Sequence, residues 1–237
     1  MCEKIKQLTS TKYFLFIEGT IRAGKSTLIK KYFYDLIGYH EAEKWKGVKV
    51  ILTIPLPEVT ITNRMEKDLQ NFYEKKITPK EFQDKIEKEY FYVLCKHVLF
   101  NGLKEAIYIF DRNQTSTYIF SKFSNIPKEE IKQIKKNREY FDELIKKGTC
   151  VFINSSRERV LMNKQMRGRE SEKAMDIEYL IRLHDVYHWL TMEAYKPIIG
   201  LKFQMIDNLN DIDIKRHRIY LKNRINEILK IFFNDIE

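Results

Sequence analysis

Gly19-Thr20-Ile21-Arg22-Ala23-Gly24-Lys25-Ser26 is the stretch on which the reading of the fold turns. A glycine, four variable residues and then Gly-Lys-Ser match the phosphate-loop pattern. The short apolar run before it and the helical segment after it supply the context that pattern requires. The glycines let backbone N–H groups come close to phosphates, and a helix opening at the end of the loop adds its partial positive charge. Together with Thr27, these residues are read as the loop that binds ATP. Lys25 reaches the β- and γ-phosphates, and the Ser26 hydroxyl is a ligand for Mg²⁺.

Working outward, five short runs rich in aromatic and β-branched residues read as buried strands: Tyr13–Ile17, Val48–Ile54, Ile107–Phe110, Cys150–Ile153 and Lys202–Ile206. Helical spacing lies between them, so the fold class is α/β, a phosphate-loop fold with a five-stranded parallel sheet covered by helices on both faces. A helix is expected over Pro127–Lys147, with proline at its start, Glu129 and Glu130 in its first turn, Lys146 and Lys147 in its last, and Gly148 beyond. A closing amphipathic helix is expected over Asp211–Phe233. The charged stretch Gly38–Gly47 reads as a surface excursion. No Pro/Gly/Ser-rich break divides the 237 residues, which read as a single domain.

Hydrophobic residues make up 43% of the chain and aromatics 13%, the profile of a soluble globular protein. The polar start, Met1 to Lys12, and the short apolar run after it exclude a signal h-region and a membrane span, so a cytoplasmic, reducing location is expected. Cys2, Cys95 and Cys150 are odd in number and far apart, and they read as reduced thiols. A formal charge of +10 favours anionic partners. The lysines that supply it are scattered along helices, as at Lys132, Lys135 and Lys136, which favours a solvated surface over a nucleic-acid patch.

A phosphate loop alone does not separate a hydrolase, a motor and a kinase. Asp111-Arg112, after the third strand, stands where α/β folds bind ligands. Asp111 could hold the metal and Arg112 could offset charge on a transferred phosphoryl group, although such pairs are also common on surfaces. Arg167-Gly168-Arg169-Glu170-Ser171-Glu172 suits an arginine-containing lid whose guanidiniums close over phosphate. It also reads as a solvated basic turn. His184-Asp185-Val186-Tyr187-His188 sets two histidines one helical turn apart, but lacks the glutamate and third ligand of a zinc-protease motif.

Ile17-Glu18-Gly19, Asp111-Arg112 with Ser116, and Arg167-Gly168-Arg169 followed by Ile177-Glu178-Tyr179-Leu180, Leu183-His184 and Trp189-Leu190 together resemble the deoxynucleoside kinases, from Tyr13 to about Asp211. The resemblance implies transfer of the ATP γ-phosphate to the 5′-hydroxyl of a deoxynucleoside, with Mg²⁺ on Ser26 and Asp111, and a homodimer. It implies that Tyr73 and Glu172 hold the sugar 3′-hydroxyl, Gln83 reads the base, Phe120 packs on it, and Arg112, Arg167 and Arg169 stabilise the phosphoryl group. Without it, Tyr73 and Gln83 would pass as helix surface. The family ends its second strand with a glutamate followed by proline, and that glutamate takes the 5′-hydroxyl proton. Here the run is Pro55-Leu56-Pro57-Glu58-Val59, in which Glu58 is the candidate base and an alignment anchored on Pro55 would put Leu56 there instead.

Thr117 stands near a family aspartate, Tyr90 near a family arginine and Lys164 near an arginine before the lid. Loss of the charged base-reading pair favours thymine. Two other readings remain: a thymidylate-type nucleoside-monophosphate kinase, for which Arg64 could supply a cationic pocket, and a P-loop nucleic-acid-binding ATPase. The match from the lid into the following helix favours the first reading. No stacked aromatic-basic pattern supports the last.

Overall fold

The structure is a computed structural model that describes residues 12–29, 52–56, 58–100, 106–136, 148–166, 170–196 and 202–208, with 141, 144 and 146. Its strands are β1 Lys12–Glu18, β2 Leu52–Pro55, β3 Ala106–Asp111, β4 Thr149–Ser155 and β5 Lys202–Asn208. They pair in parallel in the order β2-β3-β1-β4-β5. Each covers or overlaps one of the runs read from the sequence. The helices are α1 Lys25–Leu28, α2 Glu66–Tyr73, α3 Pro79–Leu94, α4 Gln114–Phe123, α5 Lys128–Lys136, α6 Arg157–Met166 and α7 Ile177–Tyr195, with 3₁₀ turns at Val59–Ile61 and Glu170–Glu172. The helix read over Pro127–Lys147 is described as α5, and much of its later half lies outside the described residues, as do Asp211–Phe233 and Gly38–Gly47.

Between its charged ends, from Tyr13 to Ile17, the central strand is apolar because both of its faces are covered. Phe14 and Phe16 point one way, Leu15 and Ile17 the other, and all four are buried. Phe14 and Phe16 join Tyr108 and Phe110 of β3 in a cluster closed by Phe82, Ile86 and Tyr90 of α3 and by Phe141. A second cluster sets Cys150 and Phe152 of β4 against Ile119 of α4 and Leu183, Tyr187 and Leu190 of α7. Gly148, read from sequence as a helix stop, has a further reason to be glycine. A Cβ there would lie 2.4 Å from Phe16 Cε2 and 2.9 Å from the Phe14 carbonyl oxygen.

The parallel register brings strand ends together. Ile17 pairs with Asp111 and Glu18 with Phe152, so the residues following β1 and β3 emerge side by side at the carboxyl edge. The chain crosses from β3 over β1 to β4, which makes the crevice beyond β1 a topological switch point.

Helix α3 forms one wall of that crevice, and its start is closely specified. The Thr78 hydroxyl accepts from Glu81 N at 3.2 Å, Glu81 Oε2 accepts from Thr78 N at 2.8 Å, and Pro79 takes the first helical position. Thr78→Ala is expected to lower stability by about 1 kcal/mol, or roughly 2–4 °C in Tm for a chain of this size. Thr78→Ser should restore most of it in thermal unfolding followed by circular dichroism.

Candidate active site

The loop after β1 needs glycine at two points. Gly19 has φ 146° and Gly24 has φ 94°. A Cβ on Gly19 would sit 2.8 Å from the Ile153 carbonyl oxygen, so the loop packs directly on β4. Arg22 is also left-handed at φ 66°. Lys25 Nζ donates to the carbonyls of Gly19 at 3.2 Å and Thr20 at 3.0 Å and lies 4.0 Å from Asp111 Oδ1. Burial, followed by the Arg112 charge, pushes the Lys25 pKa down to about 8 against the pull of Asp111, Glu58 and Glu18. Ile21, Arg22 and Gly24 face the cleft beside the loop. Ala23 is buried, its carbonyl accepting from Ser155 Oγ at 2.9 Å. Thr27 continues the loop into α1.

Ser26 joins the two carboxylates read from the sequence. Its hydroxyl is 2.9 Å from Asp111 Oδ2 and 3.3 Å from Glu58 Oε2. Burial pushes the Asp111 carboxyl up and Lys25 pulls it back. Asp111 Oδ1 is buried with no hydrogen-bond partner. A hydroxyl and carboxylate oxygens, one of them buried and unsatisfied, fit a hard divalent cation such as Mg²⁺. Of the two candidates at the end of β2, Leu56 belongs to the hydrophobic cluster, whereas Glu58 lines the cleft and accepts from Thr60 Oγ1 at 3.0 Å.

Arg112 is buried, with φ 66° turning its side chain back over the loop. Nη2 donates to the Gly19 carbonyl at 3.0 Å and Nε to Tyr187 OH at 3.3 Å, and the guanidinium lies 5.3 Å from the Phe120 ring centroid. Nε is 3.6 Å from Glu18 Oε1. Glu18, fully buried, accepts from Gly19 N, Ser116 Oγ, Tyr187 OH and Tyr195 OH at 2.6–3.0 Å.

From these groups a cleft of about 750 Å³, open solvent at its mouth included, runs between α2, α3, α4 and the turn before α7. Tyr73, Gln83, Phe120 and Glu172, read as substrate holders, all line it. Gln83 is only 3% exposed, so the helix-surface alternative is corrected: the crevice wall overrides a polar residue's usual preference. Phe72 stacks on Phe82 at 4.6 Å, and Tyr73 meets Tyr179 edge-on at 6.1 Å. Burial, then Tyr179 and Glu172, raises the Tyr73 hydroxyl well above its ordinary pKa, so it is a donor at neutral pH. Tyr90 and Thr117 also line the cleft, and Thr117 Oγ1 is buried without a hydrogen-bond partner.

Arg167, Gly168 and Arg169 lie outside the described residues. Arg64 is 60% exposed at its side chain, 3.7 Å from Glu89 and 4.0 Å over the Tyr92 ring. His184 Nε2 lies 2.8 Å from the Ser155 carbonyl oxygen, and His188 packs on Phe152. Among the described residues no cluster of three or more His, Cys, Asp or Glu could hold a metal. No described helix is long and apolar enough to cross a membrane.

Sequence reasoning did not find what Glu18 does or which residues serve it, because Tyr187 and Tyr195 come from a helix some 170 positions away. Nor did it find the ion pair of Arg22 with Glu172 at 2.6 Å. In both cases the local signal is an ordinary charged residue beside a glycine-rich turn.

The family model for deoxynucleoside kinase matches residues 15–230. No curated protein matches the chain. Two solved structures of deoxyadenosine kinase from M. mycoides, one with bound dATP and one with bound dCTP, share the fold at a TM-score of 0.60 each. They are 20% and 18% identical, over 90% of this chain and 99% of theirs.

The lowered Lys25 pKa has a signed consequence. Lys25 carries its charge below about 8 and loses it as pH rises through that value, so Mg-ATP affinity measured by calorimetry should fall between pH 7 and 9. Lys25→Arg, which stays protonated, should bind more weakly at pH 7 but with no such fall.

Proposed function

The chain belongs to the deoxynucleoside kinase family, and we propose that it transfers the γ-phosphate of ATP to the 5′-hydroxyl of a deoxynucleoside. One observation carries this reading: Lys25, Ser26 and Glu58 share a single cleft with the uncharged wall of Tyr73, Gln83, Thr117 and Phe120. A neutral acceptor held by that wall would face the phosphate loop across a carboxylate.

In this mechanism the loop backbone and Lys25 bind the donor phosphates, Tyr73 and Glu172 hold the 3′-hydroxyl, and Gln83 and Phe120 hold the base. Such positioning supplies much of the rate in phosphoryl transfer. The O5′–H bond breaks towards Glu58 as O5′ bonds to the γ-phosphorus and the bond to the β-phosphate oxygen breaks, releasing ADP. Thr60 orients the Glu58 carboxylate through its 3.0 Å hydrogen bond. Arg112, with Arg167 and Arg169, offsets charge spreading over the phosphoryl oxygens. Mg²⁺, held by Ser26 and Asp111, would neutralise charge on the β- and γ-phosphate oxygens.

The base-facing groups Gln83, Thr117 and Tyr90 are neutral, which favours thymidine over a base that needs an acidic or basic partner. A glutamine amide can present its donor and acceptor to adenine as well. Deoxyadenosine is therefore the second candidate, in keeping with the activity named for the two M. mycoides structures.

Two measurements test the proposal. With Mg-ATP and a panel of deoxynucleosides, their monophosphates and single-stranded DNA, a deoxynucleoside should become its 5′-monophosphate, thymidine or deoxyadenosine with the highest kcat/KM. Phosphorylation of monophosphates alone, or hydrolysis merely stimulated by DNA, overturns the reading. Glu58→Gln should lower kcat by about 10²–10⁴-fold with KM little changed. Full kcat in that variant removes Glu58 as the base.

A further inference from the structure

Arg22 occupies a variable position of the phosphate loop, yet its side chain turns away from the loop. Nη2 donates to Glu172 Oε2 at 2.6 Å, and both side chains are buried, at 2% and 6% exposure. Nη1 donates to the carbonyls of Asn163 at 3.0 Å and Lys164 at 3.1 Å, in the last turn of α6. A helix C-terminus carries partial negative charge and favours a cation. Asn163 Nδ2 returns a bond to the Arg22 carbonyl at 2.8 Å, and Lys164 Nζ donates to the Met175 carbonyl at 2.6 Å. One guanidinium thus bridges the end of α6 and the 3₁₀ turn Glu170–Glu172 while its backbone belongs to the loop that binds phosphate.

We propose that Arg22 is a positioning residue that holds the Glu172 carboxylate in register with the phosphate loop, so that the sugar 3′-hydroxyl it grips sets O5′ at the correct distance from the donor. The inference rests on the reading of Glu172 as a holder of the deoxyribose. The chemistry favours arginine: its planar fork reaches a carboxylate and two carbonyls at once, which a lysine ammonium cannot do in the same plane. Glu172 is a carboxylate at 6% exposure, and Arg22 sets a guanidinium directly against it, so removing Arg22 takes away a charged partner from a buried acid.

The test compares wild type with Arg22→Met, Arg22→Lys, Glu172→Gln and the double variant Arg22→Met/Glu172→Gln. Steady-state assays use Mg-ATP and the deoxynucleoside that wild type turns over best. Hydrogen exchange is followed over residues 170–176, with folding checked by circular dichroism. Arg22→Met should raise KM for the deoxynucleoside on the order of 100-fold, as truncating one partner of a buried charge pair does, and change KM for ATP by less than about 3-fold. Arg22→Lys should recover part of the loss. Adding Glu172→Gln to Arg22→Met should cost little more, because the two act as one unit. Exchange over residues 170–176 should quicken in Arg22→Met. Equal rises in both KM values, losses that multiply in the double variant, or unchanged exchange overturn the proposal. If wild type phosphorylates no deoxynucleoside, the functional reading falls, and exchange alone then decides whether Arg22 positions the turn.

Discussion

A carboxylate with no solvent around it is the constraint from which the rest of the site follows. Glu18 ends β1 fully buried, and an isolated charge there would cost more than a domain's whole stability. It is tolerable because Gly19 N, Ser116 Oγ, Tyr187 OH and Tyr195 OH all donate to it, with the Arg112 guanidinium alongside. Hydrogen bonds to charged groups contribute about 1.5–3 kcal/mol each. The donors come from separate parts of the chain, with the two tyrosines on one helix. The first residue of the phosphate loop, helix α4, helix α7 and the residue after β3 are thereby fastened to one point.

That fastening explains the geometry nearest the chemistry. Arg112 is pinned between Glu18, Tyr187 and the Gly19 carbonyl and cannot swing into solvent. Asp111, one residue earlier, is then directed at Ser26. Asn113 extends the same network, its amide donating to Tyr195 OH at 2.9 Å while its oxygen caps α4 through Thr115 N. A short polar segment after a strand is thus rigid because a buried acid more than 90 residues earlier in the sequence demands donors. Preorganisation of this kind lets fixed charges act on a transferred phosphoryl group without reorganising during the step.

The fold was legible because its signals are local. The phosphate loop is eight consecutive residues, and a strand buried on both faces is a continuous apolar run. The site was legible in proportion to how local it is. Lys25, Ser26 and Asp111 follow from the loop and the strand edge, whereas Glu58 could not be separated from Leu56 until packing put one in the cluster with Val59 and Met65 and the other in the cleft. Gln83 carries no mark of burial in its own helix, because the wall that covers it comes from elsewhere. The Arg22–Glu172 pair joins positions 150 residues apart, and nothing in a variable loop position or an acidic turn announces a partner. Resemblance supplied Glu172 a role but gave no reason for Arg22.

The distribution of cations bears on which acceptor the cleft suits. A nucleoside brings no charge to Glu58 and Asp111, whereas a monophosphate brings a dianion. Two unit charges 4 Å apart repel by about 4 kcal/mol at an effective dielectric constant near 20, so a monophosphate site needs an uncommitted cation. Among the described residues that line the cleft, Lys25 is bonded to the loop carbonyls, Arg112 to the Gly19 carbonyl and Tyr187, and Arg22 to Glu172 and the end of α6. Arg64, which the sequence offered for this task, instead lies over Tyr92 and beside Glu89. Recruiting it would forfeit both contacts and bring its exposed head into the cleft. The rest of the described lining includes a tyrosine held protonated by burial, a glutamine, a threonine with an unsatisfied hydroxyl and aromatic rings. Among the described residues, such a lining suits a neutral, hydrogen-bonding ring system better than an acceptor that brings a second dianion.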